Sequence, residues 1–322
     1  MTDEEAIRTA LDKLEDSGNW STLKRNGRLL LALPPNREAA AKALNLYQPQ
    51  RWKARMGMVL LGIGTAVGMH RYFGGRISHD GKGALRARQG VEPGTTGVML
   101  GSPEHKVRRA IASFRTDRGW EVAKFAFGPE GEGVIGGEAA VLKSLPVDAA
   151  GKPELMDVSL GDDCSFLCLP YLEGTPLEST SVPEVVNLLG KWDLGEAPMP
   201  ATEFPEWKTL VCALEGSEAG QIALQRLSDF TLRPVVRHGD FARWNLIRRP
   251  SGELVALDWE WGQSRGMPGI DLVHFFAQDA RLVERLAPAV LVRRVCSLMR
   301  RAECRDYLVG KGWGIEPEWP ML

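Results

Sequence analysis

The sequence predicts an α+β fold of two lobes, a small antiparallel sheet lobe followed by a mainly helical one, with an N-terminal extension ahead of both. Three observations predict it. Short β-type runs separated by turn residues cluster between positions 97 and 172, with a single helical segment among them. Helical spacing dominates after Gly174. A chain of 322 residues, 44% hydrophobic and 25% charged, is ordinary globular material and long enough for two packed bodies. The expected division is 1–92 for the extension, 93–172 for the sheet lobe and 173–322 for the helical lobe.

In chain order, residues 3–16 read as a helix: Ala6, Ile7, Ala10, Leu11 and Leu14 recur at helical spacing, Thr2 and Glu5 make a capping box, and Gly18 can stop it. A second helical candidate, 36–46, starts at Asn36; the apolar, glycine-containing stretch 56–69 that follows fits no single type. Residues 97–101, 109–114 and 120–127 read as strands of one small antiparallel sheet. Glu138 then opens a helix over 138–145 after a glycine-rich turn, and 165–172 returns to a strand. Beyond it, 183–192, 220–230 and much of 270–310 read as helices, interrupted near 235–260.

Charge is unevenly placed. Residues 20–90 hold thirteen Lys or Arg against Glu38 and Asp80, about +11, although the whole chain is at −1. Such asymmetry bears on partners and not on fold. Five cysteines without paired spacing fit reduced thiols in a cytoplasmic protein, and the acidic N-terminus lacks the basic-then-apolar start of a secretory signal.

The stretch 236–260 carries the chemistry. It contains His238-x-Asp240-x4-Asn245 and, thirteen residues on, Asp258-x-Glu260 at the end of an apolar run. Phosphoryl transfer requires a hydroxyl to be oriented and Mg²⁺ to be held on a triphosphate, and a carboxylate, an amide and a second carboxylate can divide those tasks. Asp240 is the candidate for the hydroxyl; Asn245 and Asp258 offer hard oxygen ligands for the metal, with Glu260 behind them. Trp244, Trp259 and Trp261 crowd the same stretch, where core packing and stacking on a sugar ring are both open.

These residues resemble the catalytic and metal-binding motifs of the aminoglycoside phosphotransferases and their relatives, the choline, fructosamine and homoserine kinases, over about 97–280. The resemblance implies a protein-kinase-like two-lobed fold with ATP and Mg²⁺ as cofactors and a small-molecule hydroxyl as acceptor. It implies that His238 and Asp240 belong to the catalytic loop and that Asn245 and Asp258 bind metal. Lys124 is similar to the strand lysine that binds ATP phosphates, Glu138 to its pairing carboxylate, and the strand end at Tyr171 to the segment against which adenine sits, although an ordinary connection between lobes fits Tyr171 as well. The loop 100–106 departs from the glycine-rich phosphate loop of protein kinases. Asp271 resembles the aspartate that braces the catalytic loop, and capping of a local helix explains it equally well.

The expected function is therefore ATP-dependent transfer of phosphate to a sugar, amino sugar or cell-envelope metabolite. The rival is a catalytically silent kinase-like module that binds a partner through its basic N-terminal region. For residues 20–90 the first expectation is a buried segment docked on the core with a solvated basic face. The second is attachment to an anionic membrane surface or partner at the periphery of the membrane; nothing marks a specific nucleic-acid reader.

Overall fold

A computed structural model describes residues 1–15, 17–46, 52–72, 74–81, 83, 90–102, 106–146, 149–177 and 181–314. It has the expected α+β class. The chain packs as two compact units, Met1–Ala139 with Glu154–Tyr171, and Ala140–Pro153 with Leu172–Leu322.

The first unit is built on an eight-stranded antiparallel sheet in the order β3-β1-β2-β4-β5-β6-β8-β7. Its strands are β1 (Ser17–Arg25), β2 (Arg28–Leu33), β3 (Gly75–Asp80), β4 (Gly97–Leu100), β5 (Arg108–Thr116), β6 (Gly119–Phe127), β7 (Asp157–Ser159) and β8 (Cys164–Pro170). The runs expected as strands are β4, β5, β6 and β8. The expected boundary at residue 92 is not where the chain divides, because β1, β2 and β3 extend the same sheet. β1 and β2 are joined by Asn26 and Gly27 at φ +52° and +78°, the two-residue turn whose positive angles match the right-handed twist of paired strands. β1 then pairs along its other edge with β3, Trp20 opposite Ile77.

Helix α1 (Asp3–Leu14) starts at the expected box: Glu5 N–H donates to Thr2 Oγ1 and Thr2 N–H to the Glu5 carboxylate. Its apolar stripe Ala6, Ile7, Ala10, Leu11 and Leu14 is buried in one core with Trp20, Ile77, Val98, Phe114 and Phe125. The helix ends at Leu14 and not near Gly18, since Glu15 turns its buried carboxylate to the N–H groups of Gly94, Thr95 and Thr96 at 3.0, 3.2 and 2.9 Å. Helix α2 (Arg37–Asn45) is capped by Asn36 as expected.

The apolar stretch of uncertain type is α3 (Trp52–Ala66), continued by a short 3₁₀ turn, Met69–Tyr72. The expectation of a buried segment does not hold for it: Met56, Val59, Leu60, Ile63 and Val67 are all more than half exposed. Helix α4 (Gly131–Ser144) also differs from expectation. Its first turns include four glycines and were expected as a turn, but Ile135, Ala139 and Leu142 recur at i, i+4 and i+7 and are buried, which outweighs the low helix propensity of glycine. Glu138 therefore lies mid-helix.

The second unit is mainly helical, as expected, with helices Val182–Gly190, Trp207–Leu214, Glu218–Ser228, Ile270–Gln278, Pro288–Met299 and Ala302–Gly310. Its small strands frame the motif region. Val235–Arg237 pairs with Gln263–Gly266, and Leu246–Arg248 pairs with Leu254–Ala256. The described residues include all five cysteines, and none of them forms a disulfide.

Candidate active site

In the second unit the motif residues converge on one loop. Strand Val235–Arg237 delivers the chain to His238, and at Gly239 it turns at φ +84°, where an added Cβ would stand 2.0 Å from the Trp261 carbonyl oxygen; only glycine fits. The hairpin of Leu246–Arg248 with Leu254–Ala256 opens on Asn245 at one side and Leu257-Asp258 at the other, tied by Leu257 N–H to the Asn245 carbonyl at 2.8 Å. The two expected metal ligands are thus neighbours at the mouth of one hairpin. Asp258 adopts φ +67°, a left-handed conformation that non-glycine residues rarely hold outside functional or tightly determined positions.

Asp240 is the partly exposed carboxylate of this group. Asn245 Nδ2 donates to Asp240 Oδ2 at 2.9 Å and to the Asp240 carbonyl at 2.8 Å, which spends both of its N–H bonds and leaves its Oδ1 to accept or coordinate. Asp240 Oδ1 receives His274 Nε2 at 3.2 Å. A carboxylate only accepts, so in this contact His274 Nε2 is the donor.

Asp271 braces the loop from the start of helix Ile270–Gln278. Its buried carboxylate accepts the N–H groups of His238 and Gly239 at 2.6 and 3.1 Å, and Arg237 Nε approaches it at 3.6 Å. Burial pushes this carboxyl up from its ordinary value, and the two N–H bonds and the guanidinium oppose that shift. The left-handed Gly269 precedes the helix, and no cap bond forms on its side chain position; Asp271 spends its oxygens on the loop.

His238, expected in the catalytic set, has a different place. It is fully buried and ringed by Trp192, Phe241 and Trp259. Its Nε2 lies 2.9 Å from the Leu257 carbonyl and its Nδ1 receives the Asp240 N–H at 3.3 Å, so one neutral tautomer satisfies both nitrogens. Burial holds the imidazole below its ordinary pKa. A group so enclosed cannot meet substrate; it fastens the loop to the strand end that bears Asp258. Trp259 is likewise core, its indole donating to the Ala256 carbonyl at 2.9 Å, whereas Trp261 is exposed beside Gly239.

Sequence reasoning missed His274, Gln278, whose amide nitrogen lies 3.4 Å from His274 Nε2, and Arg243. The first two share one helix face with Asp271 at i+3 and i+7, a spacing that could have found them. Arg243, inside the loop, is ion-paired with Asp279, its Nε donating at 2.8 Å.

In the first unit, Lys124 stands on β6 between Ile111 and Leu167 of its neighbours, on the face opposite the core residues Ala123 and Phe125. Its Nζ contacts Glu138 Oε1 at 2.6 Å, and Glu138 is almost wholly buried, so the expected pair is brought together. Tyr171 follows β8. Its N–H is spent on the Trp120 carbonyl at 2.8 Å, and the Lys42 ammonium lies 4.7 Å from its ring. The loop 100–106 lies partly outside the described residues.

Among the described residues no three His, Cys, Asp or Glu side chains are grouped to hold a metal unaided. The amide oxygen of Asn245 and the carboxylate of Asp258 are nevertheless a donor set suited to Mg²⁺, which keeps several waters and takes one or two protein oxygens beside phosphate oxygens.

No family model and no curated protein matches the sequence. Among solved structures, the chain is similar to aminoglycoside phosphotransferase APH(3'')-Id from Streptomyces rimosus ATCC10970, at 18% identity and a TM-score of 0.42, over 70% of this chain and 93% of that one. It is similar to choline kinase LicA from Streptococcus pneumoniae, at 20% identity and a TM-score of 0.41, over 71% and 90%. It is also similar to a thermostable mutant of aminoglycoside phosphotransferase APH(4)-Ia in ternary complex with ADP and hygromycin B, at 16% identity and a TM-score of 0.41, over 70% and 90%. Likeness at this level does not say what the present chain binds or transfers.

Proposed function

We propose that the protein is an ATP- and magnesium-dependent phosphotransferase acting on a hydroxyl of a small molecule such as a sugar, amino sugar or cell-envelope metabolite. The observation that carries this reading is the Asp240 carboxylate, open to solvent, pinned at both oxygens and mounted on a loop fastened from below by Asp271 and His238. A purely structural loop polar group has no need of such support.

Asp240 would accept a hydrogen bond from the acceptor hydroxyl and take its proton as the hydroxyl oxygen bonds to the γ-phosphorus and the bond to the β–γ bridging oxygen breaks, releasing ADP. Asn245 Oδ1 and the Asp258 carboxylate would hold magnesium, which when bound supplies neutralising charge on the phosphate oxygens. Lys124, held by Glu138, would pair with phosphate oxygens, and Tyr171 would border the adenine. Trp261, exposed beside the loop, suits the face of a sugar ring.

Calorimetry with ATP and Mg²⁺ tests the metal assignment. Wild type should bind measurably and Asp258→Ala at least about tenfold more weakly; equal affinities would remove Asp258 from the metal site, and no binding by wild type would overturn the reading. ATP turnover against a panel of sugars, amino alcohols and aminoglycosides would then name the acceptor.

A further inference from the structure

The outward face of α3 does not contribute to the phosphotransfer chemistry, and it is unusual. Met58 and Leu61 pack inward against Leu31, Leu33, Ala40, Ala43 and Leu44. Met56, Val59, Leu60, Ile63 and Val67 recur at i, i+3, i+4, i+7 and i+11, which is one face of a helix, and all are more than half exposed. Met69 and Tyr72 prolong the exposed surface through the 3₁₀ turn. A contiguous apolar face of this kind marks an interaction site, because scattered single residues are what an ordinary surface shows.

Charge identifies the occupant. Between Glu38 and Asp80 the chain has no acid, while Lys42, Arg51, Lys53, Arg55, Arg71 and Arg76 are basic. Lys53 and Arg55 fall in the first turn of α3, where the helix dipole disfavours cations, so they do not serve the helix itself. Arg71 stands beside Tyr72 at the far end. An apolar stripe with cations at both ends and an aromatic at one fits a surface that is apolar beneath and anionic at the level of its headgroups. A second copy fits poorly, since residues 39–79 offer no acid with which the cations of a facing copy could pair, and like charges across an interface are repelled.

We propose that the outward face of α3 docks the protein on an anionic lipid surface, the helix lying in the headgroup plane. Its fifteen residues span about 22 Å, short of the roughly 30 Å hydrocarbon core. Among the described residues no helix is long and apolar enough to cross a membrane.

The test is co-sedimentation of the full chain with phosphatidylcholine vesicles containing either no phosphatidylserine or about 30% of it, across a salt series. Three proteins are compared: wild type, Val59→Ser with Ile63→Ser, and Lys53→Ala with Arg55→Ala. Circular dichroism and the unfolding midpoint establish that each is folded. Wild type should partition onto the anionic vesicles and release as salt rises. The apolar variant should lose at least about tenfold in partitioning, and the charge variant about fivefold for each cation removed. Equal partitioning of wild type with and without phosphatidylserine overturns the proposal, as does an apolar variant that binds like wild type. A wild-type dimer in sedimentation velocity that the apolar variant turns to monomer, without vesicle binding, would replace the lipid with a second copy. None of these readouts depends on phosphotransfer.

Discussion

Two regions of the molecule spend their side chains in opposite ways. In the motif loop, 238–245, nearly every polar group is used: Asp271 takes two backbone N–H groups, His238 satisfies both ring nitrogens, Asn245 donates twice to Asp240, and Arg243 is tied to Asp279. In α3 one face is packed and the other is left apolar and bare. The loop's over-determination is what the proposed function asks of Asp240, a carboxylate that must stay in one place when substrate arrives. The helix is under-used because its outward face serves no part of its own unit. Substitutions to small or neutral residues should therefore be severe in the first region and slight on the bare face of the second.

The largest effect is expected at Asp240. Asp240→Asn keeps the shape and the Asn245 contact region but removes the proton acceptor, so turnover of any accepted substrate should fall about 10²–10⁴-fold while calorimetric ATP affinity stays near wild type. Unchanged turnover would take Asp240 out of the chemistry and leave the loop's tight bonding unexplained. Asp271→Ala comes next. It strands the N–H groups of His238 and Gly239 in a buried place, while Arg237 keeps its ion pair with Glu206 at 2.7 Å, so urea unfolding should show a loss of about 2–4 kcal/mol. A loss below about 1 kcal/mol would mean that water replaces the carboxylate and the brace is not structural.

The same contrast explains what could be read from the sequence. His238, Asp240, Asn245 and Asp258 were legible because the proposed chemistry requires particular residue types at short spacings, and the strands around Lys124 because alternation and turn residues are local. Asp271 was legible as a brace only through resemblance. The role of His238 was misread, since its burial among Trp192, Phe241 and Trp259 depends on residues from 192 to 259 that no local pattern joins. The N-terminal strands were missed for two reasons. Asn26-Gly27 is a strong short signal for a hairpin, but the run before it, 17–25, is mostly polar and does not alternate as a strand does. The pairing of β1 with β3 was not legible at all, because it joins Trp20 to Ile77 across a strand, two helices and a 3₁₀ turn. The burial of α3 was wrongly expected because apolar composition says a segment is hydrophobic without saying which face is covered.

A smaller effect separates the loop from the surface through pH. Burial depresses the pKa of His238, so as pH falls below about 6.5 the unfolded chain takes up a proton that the folded chain refuses. Stability is fully present above that value and declines below it, by at most about 1.4 kcal/mol per pH unit for one histidine. His70, also buried with a depressed pKa, acts in the same sense. Asp271 acts oppositely, since its raised carboxyl takes up a proton in the folded chain first. Urea midpoints at about pH 7.5 and 5.5 should fall in wild type and fall less in His238→Asn. Equal slopes would show that His238 is charged in the folded protein.

The smallest effect tests the bare face of α3 against its packed one with two adjacent residues. Leu60 is 66% exposed, whereas Leu61 lies against Leu31, Leu33, Ala40, Ala43 and Leu44. Both stand in the middle of the same helix, so replacing either by serine changes intrinsic helix propensity by the same few tenths of a kcal/mol. Whatever separates the two variants is therefore burial. Leu61→Ser removes a side chain from apolar contact and sets a hydroxyl there, which should cost about 1–3 kcal/mol. Leu60→Ser takes apolar surface away from water, and should leave unfolding free energy within about 0.5 kcal/mol of wild type. Urea unfolding of the two variants under identical conditions measures the difference directly. Equal losses of 1 kcal/mol or more in both, on the order expected for a packed leucine, would mean that Leu60 is covered in solution, and the outward face of α3 would then be an internal surface with nothing left to dock.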